Sequence, residues 1–281
     1  MKIGAVSDAF RMPVRDNLRN CRALGVTGAQ IFVGLETEVN PSMSAAHRRD
    51  FGAFCQSLGL DLTAMFISYS GHGLENASEN PEKLRFTKTV VDLAADLGCP
   101  VVASHFGIIP DNPRADAYLG LHDACREIGP YAQERGIKYC IETGPETAQM
   151  LKRFLEDTAA PGIGVNFDPA NLAMVMLDDP VKGVYLLQDY IFHTHAKDGV
   201  QIMPATAMDI YRPSEEAKKK GPLYAVKPLG EGAVDWGAYL GALRAIGYDG
   251  YLTIEPEGNP PEEYVQHAVA FLSEKLDVKR A

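Results

Sequence analysis

A chain of 281 residues with 46% hydrophobic content can bury one large core, and its formal net charge of −10 repels nucleic-acid backbones and anionic membranes. The opening "MKIGAVSDAF" has only a short apolar run before Asp8, and no later apolar segment is long enough to span a bilayer. Cys21, Cys55, Cys99, Cys125 and Cys140 are odd in number, without a C-x-x-C pair, and read as buried thiols; a cytoplasmic chain with no membrane or nucleic-acid partner is expected.

Short β-rich runs alternate with stretches of helical periodicity along the whole chain. In order, the predicted strands are "KIGAVS", "GAQIFV", "LTAMFIS", "VVASH", "KYCIE", "GVNFD", "YIFHTH" and "YLTIE". Before the fourth strand, "NPEKLRFTKTVVDLAADLGCP" predicts a helix capped by Asn80, with Pro81 at its first position, the apolar stripe Val90, Val91, Ala94 and Leu97, and Gly98 and Pro100 as its stop. After the eighth, "NPPEEYVQHAVAFLSEKL" repeats the device with Asn259, Pro260 and the stripe Val265, Ala268, Leu272 and Leu276. Such alternation predicts a parallel sheet covered by helices. The first strand leads into "SDAFRMPV" with no glycine-rich phosphate turn, which argues against an open nucleotide-binding sheet. The fold expected is α/β, a single (β/α)8 TIM barrel over residues 1–281. Residues 199–229 form a long insertion after the seventh strand, expected to serve as an active-site lid or as a homo-oligomer contact.

In a barrel of this type the strand ends carry the chemistry. The fifth strand ends at Glu142, the sixth at Asp168, the seventh at His195 and the eighth at Glu255. Three carboxylates at one rim repel one another unless a cation neutralises them. The nitrogen–oxygen set without sulfur suits Mn²⁺ or Mg²⁺ best, with Co²⁺ and Zn²⁺ as alternatives. His193 falls on the same face one layer deeper, near Cys140, Asn166 and Thr253, and reads as a hydrogen-bonded core histidine that orients a ligand.

"IETGPE", "VNFDPAN", "HTHAKDG" and "PLGEGAVDWGAYLGALRAIGYDGYLTIEPEG" resemble the sugar phosphate isomerase/epimerase superfamily, the xylose-isomerase-like barrels, as does "NASENPEKLRFTKTVVDLAADLGCPVVASHFG". The resemblance implies one divalent metal held by Glu142, Asp168, His195 and Glu255, with Glu142 and Glu255 also exchanging protons with substrate. It departs from the ketose epimerases at Asn171, where a substrate-contacting histidine is usual. DNA-repair endonucleases on the same fold carry additional histidines that this chain lacks.

A metal that grips a carbonyl and its neighbouring hydroxyl stabilises the enediolate formed when a carboxylate removes the carbon-bound proton. The leading expectation is a metal-dependent isomerase or epimerase of a keto-sugar or sugar phosphate, with Glu142 and Glu255 as acid and base. The alternatives are a lyase or dehydratase acting on a keto-inositol or 3-keto-glycoside, and a metal-binding barrel without turnover. Asn171, His105, Lys197 and His72 are candidate substrate contacts. His105 reads equally as rim polarity, with Gly107 beside it leaving room for a ligand. Lys197 reads also as a partner of Asp198 or of a neighbouring carboxylate. Arg212 and the run Lys218, Lys219 and Lys220 read as a solvated face rather than a phosphate clamp, and Trp236 as packing at a helix start.

Overall fold

The computed structural model describes residues 1–69, 73–219, 221–257 and 260–276; His72, Lys220 and Asn259, singled out above, lie outside them. The eight predicted runs form β1 (Lys2–Val6), β2 (Gly28–Phe32), β3 (Asp61–Ile67), β4 (Val101–Ser104), β5 (Lys138–Glu142), β6 (Ile163–Phe167), β7 (Ile191–Ala196) and β10 (Tyr251–Ile254). Between the last two lies a ribbon of β8 (Asp198–Gln201) and β9 (Tyr224–Lys227), paired antiparallel. The barrel closes in the order β1-β10-β7-β6-β5-β4-β3-β2, with β1 parallel to both β2 and β10. All eight run the same way because helical segments carry the chain back outside the sheet. Helices cover the outer face, so the staves read as nearly continuous apolar runs. No helix among the described residues is long and apolar enough to cross a membrane.

Helix Asn80–Leu97 buries Leu84, Val90, Val91 and Ala94 and stops at Gly98, whose positive φ lets its N–H reach Ala94 O and Ala95 O. The predicted capping role of Asn80 is not realised. Glu79 holds the N-cap position, its carboxylate accepting from Asn76 and Lys83 rather than from the helix N–H groups, while buried Asn80 donates to Leu74 O at 3.0 Å and Gly120 O at 3.1 Å. Its amide satisfies one carbonyl of the preceding loop and one of the helix Asp116–Glu134, a demand that local sequence does not reveal. Helix Pro261–Lys275 lays Val265, Ala268 and Leu272 against the core as expected.

Asp198, the first residue of β8, organises the return to the barrel. Its carboxylate accepts from the N–H groups of Gly199, Gly230, Gly232 and Val234 and from the Trp236 indole at 2.9–3.2 Å. A side chain at Gly232 would overlap that carboxylate. Trp236, 3% exposed, opens helix Trp236–Ala245 and packs edge-on against Tyr239 and Phe271. The "HAKDG" and "GEGAVDW" segments therefore form one hydrogen-bonded unit. Asp198→Ala strands an indole and several backbone donors, each worth about 1–3 kcal/mol when left buried and unpaired. A loss of at least about 3 kcal/mol is expected in urea unfolding; wild-type stability would refute this account.

Candidate active site and metal centre

Glu142 closes β5, His195 lies on β7, and Asp168 and Glu255 follow β6 and β10 by one residue. One ligand atom from each lies within 4.8 Å of all the others. Nδ1 of His195 is 3.1 Å from Glu142 Oε1, 3.2 Å from Glu255 Oε2 and 3.7 Å from Asp168 Oδ2. Glu142, Asp168 and His195 are buried, and Glu255 keeps 22% of its side chain exposed toward the mouth. Asp168 Oδ2 and His195 Nδ1 are buried without a hydrogen-bond partner. Glu142 Oε2 lies 2.9 Å from His105 Nε2 but out of hydrogen-bond alignment. Lone pairs left unpaired in one dry spot are the environment a divalent cation satisfies, and the hard oxygen-rich set fits one.

Each ligand is aimed from behind. Asp168 caps the short helix Pro169–Asn171 through Oδ1, at 2.8 Å from Ala170 N and 3.0 Å from Asn171 N, which leaves Oδ2 for the cluster. His195 Nε2 lies 3.0 Å from Gln30 Oε1 and 3.1 Å from Asn166 Nδ2. The Gln30 oxygen only accepts and the Asn166 amide nitrogen only donates, so Nε2 either holds its proton toward Gln30 or accepts from Asn166; in the first case the Nδ1 lone pair faces the carboxylates. Beneath, His193 donates from Nδ1 to Asn166 Oδ1 at 2.8 Å, while its Nε2 accepts from Thr253 at 2.9 Å and Thr63 at 3.3 Å. Cys140 is not among these partners. Register shifts fall at Ala29/Gln30 and Val165/Asn166, beside the two amides that hold His195.

The charges are mutually tuned. Burial would raise the Glu142 carboxyl, but the imidazoles of His105 and His195 outweigh it and bring it down to about 2. Burial opposes charge on His195, and the carboxylates of Glu255 and Glu142 overcome it, so Nδ1 is strongly basic and holds a proton or a metal ion. Asp168 is pushed up, chiefly by burial. His193 is driven down to about 3 by burial and then by His195, and stays neutral.

The candidate substrate contacts separate in the structure. His105 stands at the mouth, 56% exposed, its ring edge against Phe66. Asn171 is 5% exposed; its Nδ2 donates to Thr143 O at 3.0 Å and approaches Glu142 Oε1 at 3.5 Å. Lys197 pairs not with Asp198 but with Glu255 at 3.3 Å, Asp168 at 3.8 Å and Glu257. Asp198 is already occupied by the donors described above.

A cavity of about 190 Å³ opens at the mouth, lined by His105, Glu142, Gly144, Tyr69, Tyr211 and Arg212 among others. Arg212 thus corrects the solvated-face reading: it turns inward to pair with Glu75, whereas Lys218 and Lys219 are exposed. The space beside Gly107 is taken by the Glu75 side chain rather than left open. Gly144 makes room for the Tyr211 hydroxyl, which a side chain there would strike. Sequence reasoning missed Gln30, Glu75, Glu257 and Tyr211; Gln30, a lone amide inside an apolar strand, and Glu257, two residues past a ligand, carried the only local signals.

A bound metal stabilises the folded chain by mass action, about 2.7 kcal/mol at a concentration of one hundred times Kd. Gln30→Leu removes the acceptor on His195 Nε2 and is expected to weaken Mn²⁺ binding roughly 10–100-fold. Calorimetric titration checks it, and an unchanged Kd would remove Gln30 from the site.

The profile of the xylose isomerase-like TIM barrel family matches residues 18–275. An inosose dehydratase of Lacticaseibacillus casei is 26% identical over 174 residues, covering 59% of this chain and 57% of that protein, so the match spans little more than half the relative's length. A xylose isomerase domain protein from Planctomyces limnophilus superposes with a TM-score of 0.76 at 26% identity, over 92% of this chain and 90% of that one. A D-psicose 3-epimerase solved in the presence of D-fructose shares the fold, with a TM-score of 0.74 at 16% identity over 98% of this chain and 99% of that one. The barrel, its four converging strand-end side chains and the profile match over nearly its full length make this chain a member of the xylose isomerase-like TIM barrel family.

Proposed function

We propose that this chain is a metal-dependent isomerase or epimerase that moves a proton on the carbon beside the carbonyl of a keto-sugar or its phosphate. The observation that carries the reading is the placement of Glu142 Oε1 and Glu255 Oε2 together beside His195 Nδ1, at 3.1 and 3.2 Å. Glu142, Asp168, His195 and Glu255 would hold the ion, and their richness in carboxylate favours Mn²⁺ or Mg²⁺. Once bound, the ion supplies a fixed positive charge to the oxygen that becomes anionic as the proton leaves.

The side chains supply the rest. Glu142 is held ionised by His105 and His195, and Glu255 by Lys197 and His195, both against the effect of burial. Either carboxylate is therefore ready to accept a proton at neutral pH. Asn171 fixes the Glu142 oxygen from behind, and His105 offers its ring nitrogen at the open side of the same carboxylate. Tyr211 and Arg212 bring the segment between β8 and β9 over the cavity, which supports its role as a lid. Return of the proton to the opposite face epimerises, and return to the neighbouring carbon isomerises.

A dehydratase is the second reading. The similarity to an inosose dehydratase supports it, as does the exposed His105 imidazole beside Glu142, a donor placed where a leaving hydroxyl could be protonated. Both readings share the first proton transfer. Incubation of the Mn²⁺-loaded protein with keto-sugars and keto-inositols in deuterated water is expected to place solvent deuterium on carbon with the skeleton retained. Loss of water in place of simple exchange would select the second reading, and no exchange with any substrate would leave only metal binding. Glu142→Gln and Glu255→Gln are each expected to lower kcat about 10²–10⁴-fold; full activity in both would sink the acid–base assignment.

A further inference from the structure

The charge of the cavity bears on which ligand it admits. Glu142, Asp168, Glu255 and Glu257 share one buried ammonium, that of Lys197, which pairs directly with the last three. A divalent ion in the cluster would leave this group one negative charge in excess, and a protonated His105 would bring it only to neutrality. Among the described residues lining the cavity, the other cation is Arg212, and Glu75 engages it. Glu75 is 8% exposed and fixed in place: its Oε1 also accepts from Ile108 N–H, and it fills the space beside Gly107, where an added Cβ would lie 2.8 Å from Glu75 Cγ.

We propose that Glu75 is a specificity-determining residue: by neutralising Arg212 it makes the cavity select an uncharged keto-sugar or keto-cyclitol over substrates that carry phosphate or carboxylate. This deepens the function proposed above and rests on it. A guanidinium balanced by one carboxylate oxygen still presents further N–H donors, which suit hydroxyl groups. A dianionic phosphate would have to break the Arg212–Glu75 pair and leave the Glu75 carboxylate buried without its partner, a costly exchange. The Lys197 ammonium gives no alternative anchor, since three carboxylates already surround it.

Glu75→Gln tests this with little change of volume, because the amide oxygen still accepts from Ile108 N–H while the guanidinium is released. Calorimetric titration of Mg²⁺-loaded protein with inorganic phosphate reads the released charge without turnover. Glu75→Gln is expected to bind phosphate about tenfold or more tighter than wild type, and the double variant Glu75→Gln/Arg212→Gln to lose that gain. In parallel, wild type is expected to exchange protons on D-fructose-type neutral ketoses or inososes at least tenfold faster than on their phosphate esters. Phosphate affinity unmoved by Glu75→Gln, or a wild-type preference for the esters, overturns the proposal. Absence of exchange on every keto-sugar overturns the function instead, because the phosphate titration still reports on Arg212.

Discussion

Like charge forced into a small dry volume is the constraint on which this structure turns. At an effective dielectric of about 20, two unit charges 4 Å apart interact by roughly 4 kcal/mol. Three carboxylates whose ligand atoms lie within 4.8 Å of one another therefore oppose folding unless a positive charge sits among them. An exposed loop would relieve such strain by splaying apart. Barrel staves cannot, because each is hydrogen-bonded on both sides and the sheet closes on itself. The fold thus keeps the carboxylates converged, and that convergence is what a bound cation would neutralise.

The polar layer beneath the ligands is what makes the convergence specific. Strand alternation places Asn166, His193 and Thr253 two residues before Asp168, His195 and Glu255, on the same inward faces. Burial keeps His193 neutral, so it can donate to Asn166 on one side and accept from the two threonines on the other. Asn166 passes this order upward to the His195 ring, and Gln30 fixes the ring from a distant strand. A charged His193 could still donate from Nε2 to a threonine hydroxyl, which accepts as readily as it donates, so its neutrality comes from burial and from His195.

How much of this could be read in advance follows from where periodicity operates. The eight staves and the Glu142, Asp168, His195 and Glu255 positions were legible because short apolar runs alternate with helical segments and the last four runs each end in an ionisable residue. Asn166 and Thr253 as partners of His193 followed from the same alternation, whereas Cys140, expected beside them, makes no such bond, and Thr63 reaches the ring from a strand far away in sequence. Gln30 was not legible, since nothing local says which stave closes the ring opposite β7. Asn80 resembled a cap because Asn-Pro favours one, yet buried carbonyls of the adjacent loop and of Gly120 claimed it. Arg212 sits in a charged run that looks solvated, and only the tertiary path of the segment between β8 and β9 turns it toward Glu75.

The two glutamates beside His195 occupy unequal surroundings, and this inequality bears on the chemistry. Glu142 is almost wholly buried, with its second oxygen beside an exposed imidazole at the mouth. Glu255 is more open to the mouth, yet it is tied to Lys197, which Glu257 and Asp168 share. A base backed by an imidazole can receive a proton and pass another to a leaving group, because imidazole changes charge near neutral pH. A base backed by an ammonium surrounded by carboxylates has no such relay, since burial opposes the charge of Lys197 but those carboxylates overcome it and hold the ammonium protonated. On the proposed reading, the Glu255 side can then take and return a carbon-bound proton, while the Glu142 side alone offers a path to elimination. One framework of ligands so supports proton return and loss of water alike, and the side chains facing the substrate beside Glu142 select between them.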